Sequence, residues 1–367
     1  MVRRPALLAA CAALLACALQ APPALAADAV PSPLPAGLVT AEGAPALPGV
    51  AATAWLVADL DTGEVLGAKD AHARLAPAST LKVLTALALL PVVPAGTQVV
   101  TTQEQVDIEG SKVGLLGRTG YPAEELYQAL LMVSGNDAAN ALAGAAGGRE
   151  AAAAAMNATA ARLGALDTHA VNPHGLDAEG QTSSPHDLAV LLRALLEDRQ
   201  LSTWAALPRT TVSAGPDRPR FEVVNKNKLL SSYEGALAGK NGYTSAAQAS
   251  FVGAAERVVD GRTRRLAVAL MRTQPRFWDE AAALLDWGFA ALDAGARPVG
   301  ALPAPPAGEP RVSVAEDRGG AGAVARAVAV EVEEGRSLAV PARPVAGALL
   351  VVAALLVVRP RRPLQPL

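Results

Sequence analysis

Cysteine is almost absent from this sequence. Only Cys11 and Cys17 occur among 367 residues, and both lie near the N-terminus. Their segment has the pattern of a signal peptide, so the conventionally processed chain has no thiol, which excludes disulfides, thiolate catalysis and cysteine-ligated metals. The four histidines have no thiol partners in that chain. The sequence therefore predicts no metal site and no other cofactor.

An excess of charge of either sign is also lacking. The formal net charge is -2, and no long basic run lies outside the two ends of the chain. Nucleic acid is therefore not expected as a partner. Aromatic residues make up only 3% of the chain, but 51% of it is hydrophobic. The chain can thus bury a full-sized core in one large or two modest domains.

The N-terminal segment has the three parts of a secretory signal. Two arginines precede an apolar run over residues 6–19, and Ala24-Leu25-Ala26 matches a small-residue cleavage site. This order predicts a signal peptide over residues 1–26, rather than a buried N-terminal helix. A second reading stays open, because residues 14–17 resemble a lipobox that would lipidate Cys17 instead.

A second membrane signal lies near the C-terminus. Residues 344–358 are uncharged and mostly apolar, and arginines flank them at positions 343, 359, 361 and 362. The positive-inside rule then predicts a single-pass anchor, a cytoplasmic tail over residues 359–367 and a folded domain outside the membrane. The run is shorter than the ~20 residues that usually span a bilayer, so a buried terminal helix is the alternative.

The body between these ends is predicted as one domain over residues 49–295. Pro-rich and Ala-rich linkers over residues 27–48 and 296–343 flank it, the second with a small strand-like piece. Two strands surround Asp61-Thr62-Gly63, several helical patterns follow, and strands return after residue 220 before a last amphipathic helix. This order predicts an α/β protein, in the α+β sense, with one antiparallel sheet and an inserted helical subdomain.

Three short motifs carry the chemistry. Ser79-Thr80-Leu81-Lys82 puts a serine and a lysine one helical turn apart, so the amine can reach the hydroxyl. Ser134-Gly135-Asn136 joins two helices by a tight turn, and Lys240-Asn241-Gly242-Tyr243-Thr244 precedes a strand. Each motif alone is also compatible with a capping residue or a turn. All three in this order form the set of β-lactamases and penicillin-binding proteins.

The sequence resembles the D-alanyl-D-alanine carboxypeptidase family well beyond these motifs, over about residues 50–295. The resemblance includes the runs LAPASTLKVLTAL, NPHGLDAEGQTSSPHDLAVLL, VVNKNKLL and AGKNGYTSAAQASFVGAA. The NPHGLD loop is similar to one of those carboxypeptidases and is not part of the β-lactamase set. Two positions depart from the family, since Asn241 replaces a usual threonine and Gln181 a common histidine.

The resemblance implies a serine β-lactamase/DD-peptidase-like fold and a role for each motif. Ser79 would be the nucleophile, Lys82 its general base and Ser134 the proton relay, while the N-H groups of Ser79 and Tyr243 would form the oxyanion hole. The implied substrate-binding residues are Asn136, Lys240, Asn241, Gly242, Tyr243 and Thr244. Peptidoglycan stem peptides would be the substrates and β-lactam antibiotics the inhibitors.

Three other functions remain open from sequence alone. A β-lactamase would need a deacylating glutamate, usually in a Glu-x-x-Leu-Asn context, which the glutamates between the second and third motifs lack. A catalytically silent cell-wall binding module would leave the intact serines and lysines unexplained. A Ser-His-Asp triad would likewise leave Lys82 and Lys240 without a role.

Overall fold

The structure, a computed structural model, describes residues 34–215 and 218–305. The predicted signal peptide, the alternative lipidation site Cys17, and the spacer, anchor and tail predicted beyond residue 305 lie outside the described residues. Within the described part of the chain, no helix is long and apolar enough to cross a membrane.

The fold is built on a seven-stranded antiparallel sheet, as the sequence predicted. Its order is β1-β3-β2-β10-β9-β8, with β11 also paired to β3, so strands from both ends of the domain meet in one sheet. Two small sheets pair β4 with β5 and β6 with β7. The strands are β1 Leu38–Thr40, β2 Ala54–Asp59, β3 Glu64–Lys69, β4 Gln98–Val100, β5 Gly120–Pro122, β6 Arg209–Val212, β7 Phe221–Val224, β8 Ala236–Thr244, β9 Gln248–Val259, β10 Arg262–Thr273 and β11 Gly300–Ala301.

Helices fill the chain between the two groups of sheet strands. They are α1 Lys82–Leu89, α2 Gln103–Val106, α3 Ala123–Gln128, α4 Asn136–Ala145, α5 Arg149–Leu163, α6 Pro185–Glu197, α7 Arg199–Ala206, α8 Leu229–Ser232 and α9 Trp278–Asp293, with a 3-10 turn at Ala78–Leu81 and a π-helical turn at Ala129–Val133. The predicted start of α6 is confirmed, because the Ser184 side chain accepts the Asp187 N-H and Pro185 occupies the first turn.

The sheet is covered on both faces, which explains the continuous burial of its central strands. All six residues of β2 are buried. One hydrophobic cluster packs the sheet against the inserted helices, including α1 and α6, and a second packs it against α9. The predicted hairpin between β2 and β3 is also confirmed, since Asp59 Oδ1 accepts the N-H groups of Asp61 and Thr62 while Gly63 has a φ of +81°.

The edges of the domain differ from the sequence prediction. Residues 34–48, expected as linker, include β1, and the Trp287 Nε1-H donates to the Pro45 carbonyl at 3.0 Å. At the other end, β11 lies in the stretch expected as spacer, and Leu302 is buried. These strands of two or three residues are too short to show a sequence pattern, and pairing with β3 is what orders them.

Candidate active site

Ser79 lies on the 3-10 turn that leads into α1. Ala78 just before it has a φ of +50°, a left-handed conformation that is unfavourable for alanine. Two hydroxyl groups fix the turn, because Thr80 Oγ1 and Ser250 Oγ both donate to the Pro77 carbonyl, at 2.6 and 2.7 Å. Backbone strain of this kind persists only where the surroundings over-determine it. The turn therefore presents a partly exposed Ser79 at a fixed position.

Lys82 meets the Ser79 hydroxyl from inside the protein. Its Nζ donates to Ser79 Oγ at 2.9 Å, to Asn136 Oδ1 at 2.8 Å and to the backbone carbonyl of His174. The lysine side chain is completely buried. Its three acceptors come from three separate elements, so the amine is held in one position.

The surroundings of Lys82 favour the neutral amine. Burial lowers its pKa well below the usual 10.5, and the positive charges of Lys240 and Lys226 lower it further. The negative charge of Asp137 raises the pKa of Lys82, but this effect is the smallest of the four. A lysine with a depressed pKa can accept a proton, which a lysine in water at neutral pH cannot do.

The second motif begins where the π-helical turn Ala129–Val133 ends. Ser134 closes this turn with a left-handed backbone, at a φ of +66°, and α4 starts two residues later at Asn136. Asn136 Nδ2 donates to the Glu109 carbonyl at 2.7 Å while its Oδ1 faces Lys82. Ser134 and Asn136 are both buried, and the turn leads directly into the helix whose first residue, Asn136, bonds Lys82.

The third motif lies in β8, the edge strand of the sheet, rather than in a turn before a strand. Lys240 is buried, and its Nζ donates to the Asn241 carbonyl at 2.6 Å. Burial, followed by the charge of Lys226, lowers the pKa of Lys240 to about 7. The side chains of Asn241 and Tyr243 are more exposed, at 64% for Tyr243.

Gly242 lies where β8 contacts the serine turn. A Cβ added at this position would lie 2.6 Å from the Ser79 nitrogen and 2.8 Å from the Ala78 Cβ. No side chain fits in that space, so only glycine allows the edge strand to lie directly against Ser79. The two backbone segments predicted to form an oxyanion hole are therefore adjacent.

Thr244 is tied to a loop rather than left free at the end of β8. Its Oγ1 donates to Asp177 Oδ1 at 2.6 Å and accepts the Ala247 N-H at 3.0 Å. Sequence reasoning predicted that Thr244 faces a substrate carboxylate, and it did not predict this bond. The hydroxyl fixes the tip of the β8–β9 hairpin against residues 172–177.

The loop over residues 172–177 is itself part of the site, through its backbone. Asn172 Oδ1 accepts the N-H groups of His174 and Gly175. Gly175 has a φ of +85° and packs against the serine turn, where an added Cβ would lie 2.0 Å from the Ala78 carbonyl oxygen. The His174 carbonyl can therefore reach Lys82. Gln181 also supports the loop, since its Oε1 accepts the N-H groups of Val171 and Asn172 at 3.1 Å.

The ring of His174 is held neutral. Burial, then the charges of Lys82 and Arg149, lower its pKa from 6.5 to about 3, and its Nδ1 accepts the Leu176 N-H at 3.2 Å. The group in contact with the serine hydroxyl is an amine, which favours a Ser-Lys pair over the triad left open by the sequence. Within residues 34–215 and 218–305, no group of three or more His, Cys, Asp or Glu side chains could hold a metal ion.

Asp137 is a supporting residue that sequence reasoning missed. Its buried carboxylate accepts the N-H groups of Val113, Gly114 and Leu115 at 3.0, 2.8 and 3.1 Å. The loop that it fixes also supplies the carbonyl groups that bond Asn136. An acidic residue in the first turn of a helix usually indicates only a favourable interaction with the helix dipole. The partners of Asp137 lie more than twenty positions upstream, so the sequence could not predict them.

The Ser79 hydroxyl is bonded to Lys82, a buried lysine with a lowered pKa, and it lies beside the edge strand of an antiparallel sheet. These features define a serine acyl-transfer enzyme of the DD-peptidase class. The family profile described as D-alanyl-D-alanine carboxypeptidase matches residues 40–273. The chain belongs to this family. It is a serine peptidase of the bacterial cell wall and a hydrolase. The family assignment favours a carboxypeptidase over a β-lactamase.

Curated relatives carry the same name. A D-alanyl-D-alanine carboxypeptidase of Mycobacterium tuberculosis is 42% identical over 255 residues, which cover 68% of this chain and 86% of that protein. A carboxypeptidase of Bacillus subtilis is 30% identical over 236 residues, with 62% of this chain and 60% of that protein covered. The chain thus spans less than two thirds of the Bacillus protein.

Solved structures agree with the fold. A D-alanyl-D-alanine carboxypeptidase from Mycobacterium tuberculosis aligns with a TM-score of 0.67 at 42% identity, over 72% of this chain and all of that one (100%). A mutant DD-transpeptidase of Streptomyces K15 aligns with a TM-score of 0.62 at 26% identity, over 66% of this chain and 99% of the other. The predicted DD-peptidase-like fold is therefore confirmed.

Proposed function

We propose that this carboxypeptidase removes the terminal D-alanine of peptidoglycan stem peptides through an acyl-enzyme on Ser79. The carrying observation is the 2.9 Å hydrogen bond between Ser79 Oγ and the buried amine of Lys82. In the neutral amine this bond is reversed, so that the Ser79 hydroxyl donates to Nζ. The amine then takes the hydroxyl proton while Ser79 Oγ attacks the scissile carbonyl. Ser134 relays that proton to the nitrogen of the departing D-alanine, and water then hydrolyses the ester.

The tetrahedral intermediate is stabilised by backbone N-H groups. In this proposal the N-H groups of Ser79 and Tyr243 donate to the oxyanion, and the lack of a side chain at Gly242 keeps these two segments together. Such donors typically contribute roughly 10²–10³ in rate when removed one at a time. The enzyme therefore depends on the packing of β8 against the serine turn as much as on its side chains.

The substrate carboxylate is bound at the start of the third motif. Lys240 supplies a buried positive charge, and Asn241 supplies an amide that can donate a hydrogen bond. The Thr244 hydroxyl, further along β8, donates to the carboxylate by exchanging its bond to Asp177. Asn136 orients both the peptide and Lys82. The asparagine at position 241 thus preserves the donor function of the usual threonine while changing its reach.

The exported topology is also part of the proposal. The family acts outside the cytoplasm on the cell wall, which is consistent with export by the signal segment over residues 1–26. The apolar residues 344–358 would then anchor the domain to the outer face of the cytoplasmic membrane. Lipidation of Cys17 remains the alternative form of attachment.

Covalent labelling with a fluorescent penicillin tests the mechanism, because a β-lactam amide resembles the D-Ala-D-Ala amide. We expect one adduct at Ser79 by peptide mass mapping, its loss in Ser79→Ala, and full labelling in the matched control Ser202→Ala. The same enzyme should shorten a pentapeptide ending in D-Ala-D-Ala by one residue. An adduct on another residue, or none on a folded protein, would overturn the assignment.

A further inference from the structure

Gln181 closes the loop that lies against the inner side of the active site. Its side chain is buried, with 5% of the residue exposed. Oε1 accepts the N-H groups of Val171 and Asn172, both at 3.1 Å, and Nε2 donates to the Leu176 carbonyl at 2.7 Å. Both acceptor positions of the amide oxygen are therefore used on backbone groups. Because these partners lie at the two ends of residues 171–176, one side chain holds both ends together.

The closed loop presents one carbonyl group to the catalytic lysine. The Asn172 side chain makes three more bonds to the backbone of the loop. Thr85, on α1, donates to the Pro173 carbonyl at 2.7 Å. The next carbonyl along the chain is that of His174, and it accepts the amine of Lys82. The position of this acceptor therefore depends on how firmly the loop is held.

The His174 carbonyl controls the direction of the lone pair on neutral Lys82. A neutral amine has two N-H groups and one lone pair. Two of its three neighbours, Asn136 Oδ1 and the His174 carbonyl, can only accept, whereas the third, the Ser79 hydroxyl, can also donate. The two N-H groups therefore go to the two acceptors, and the lone pair is left for Ser79. If the His174 carbonyl moved away, one N-H group could turn to Ser79 Oγ instead.

Glutamine suits this position better than the histidine that is common in the family. A neutral imidazole has one acceptor nitrogen and one donor, so it can replace at most two of the three bonds that Gln181 makes. It also loses its acceptor on protonation, which occurs near pH 6.5 for an ordinary histidine. An amide does not titrate in this range, so Gln181 holds the loop on both sides of that pH.

We propose that Gln181 is a positioning residue for the pair of Ser79 and Lys82. By closing the loop over residues 171–176, it keeps the His174 carbonyl in place to take one N-H of the neutral amine. The inference rests on the proposed function, in which Lys82 is the general base. Gln181 contacts neither Ser79 nor Lys82, so its effect should appear in the rate of acylation and not in the binding of penicillin.

The test measures penicillin acylation of the full-length enzyme in detergent over a range of concentrations, which separates the first-order rate constant from the binding constant. Gln181→Met keeps the size of the side chain and removes its three bonds. We expect the rate constant to fall about tenfold to hundredfold, as for a displacement of about 1 Å at a reacting group. The binding constant should change by less than about threefold.

Gln128→Met is the matched control. Gln128 is also buried, and it bonds Glu124 and Thr210 instead of the loop. This variant should lower the melting temperature, as Gln181→Met does, because each leaves buried polar groups without a partner. Its acylation rate constant should stay within about twofold of that of the unaltered enzyme.

Gln181→His gives a second and independent measurement. The ratio of its acylation rate constant to that of the unaltered enzyme should fall as the pH decreases through about 6.5, where the imidazole loses its acceptor. Other groups are the same in both enzymes, so their titration cancels in the ratio. The titratable and charged groups around the loop are Lys82, Arg149, His169, His174, Asp177 and Glu179. A role in stability alone would not change the rate constant of the folded enzyme.

The outcomes separate the role of Gln181 from the proposed function. A normal rate constant in folded Gln181→Met, or an equal loss in Gln128→Met, overturns the inference. If Gln181→Met does not fold, Gln181→His decides, and a ratio that stays constant between about pH 8 and pH 5 overturns the inference. An unaltered enzyme that forms no penicillin adduct at Ser79 overturns the proposed function and the inference with it.

Discussion

At the scale of single residues, the site depends on the burial of the Lys82 amine away from water. Lys82 has no exposed surface, and its amine is bonded to a hydroxyl, an amide and a carbonyl oxygen. Water would stabilise the ammonium form, so its exclusion is the main reason that the pKa of this lysine is lowered, as the proposed role of base requires. The neighbouring cations reinforce this effect but cannot replace it.

Lys82→Ala should nearly abolish acylation. We expect penicillin acylation to slow by roughly 10²–10⁴-fold, the usual contribution of a general base. The variant should still fold, with a free energy of unfolding lower by about 2–4 kcal/mol because the acceptors on Asn136 and His174 lose their donor. Stopped-flow labelling and thermal denaturation measure the two effects, with Lys69→Ala as the control. Near-normal acylation by a folded variant would remove Lys82 from the role of base.

The dependence of kcat/KM on pH should report the protonation of both Lys82 and Lys240. Lys82 must be neutral to act, so kcat/KM falls as the pH decreases through its lowered pKa. Lys240 must be charged to bind a carboxylate, so kcat/KM falls as the pH rises above about 7. In Lys240→Arg the charge persists at high pH, because arginine stays protonated in proteins. The fall of kcat/KM on the alkaline side should therefore move up by on the order of two pH units, to above about pH 9. An unchanged alkaline limb would show that another group titrates there.

At the scale of elements, the site is made where an edge strand meets a strained turn. β8 pairs with β9 on one side and packs its other side against the turn that carries Ser79. The turn is held by Ser250 of β9 and by the loop over residues 172–177. Three elements that are distant in sequence therefore control the position of one hydroxyl group.

Gly242→Ala tests this packing. An alanine Cβ at this position would contact backbone and side-chain atoms within 2.6–2.9 Å, so β8 must move away from Ser79. We expect acylation to fall by about 10²-fold, the typical effect of a displacement of about 1 Å at a reacting centre. Gly49→Ala is the control, because nothing lies within 4 Å of its Cβ position. Equal acylation rates in the two variants would contradict the close contact. The measurement is penicillin acylation of the purified variants.

At the scale of the whole molecule, the sheet joins the two ends of the catalytic domain. β2 lies between β3 and β10, so about two hundred residues of inserted chain separate neighbouring strands. The inserted helices and α9 cover opposite faces, each through its own hydrophobic cluster. The serine turn and β8 lie on either side of this insertion in the sequence, and the folded chain brings them into direct contact.

The attachment to the membrane should depend on the C-terminal apolar run. Deletion of residues 344–367 removes the predicted anchor and should release an active enzyme into the medium, because the signal segment still directs export. Membrane fractionation with fluorescent penicillin measures the distribution. Combining this deletion with Cys17→Ala separates the two forms of attachment. If Cys17 is lipidated, the deletion alone leaves the chain on the membrane, and adding Cys17→Ala releases it. A doubly altered enzyme that remains on the membrane would contradict the anchor.

The sequence by itself determined the longer elements and the pairing of a serine with a lysine. The two strands around Asp61-Thr62-Gly63 could be predicted from their apolar runs, α5 from its alanine content and α6 from its cap at Ser184. Apolar runs, helix propensity and capping residues all act over a few positions. The Ser79 and Lys82 pair could be predicted for the same reason, since one helical turn fixes its spacing. Order along the chain also indicated the join of the two sheet portions.

Only the tertiary structure decided what surrounds those groups. The burial of Lys82, the carbonyl of His174 at its amine and the Asp137 bonds to residues 113–115 all join segments that are far apart in sequence. Short edge strands such as β1 and β11 exist only because β3 offers unpaired backbone groups. Such contacts follow from the packing of the whole chain, and local patterns carry no information about them.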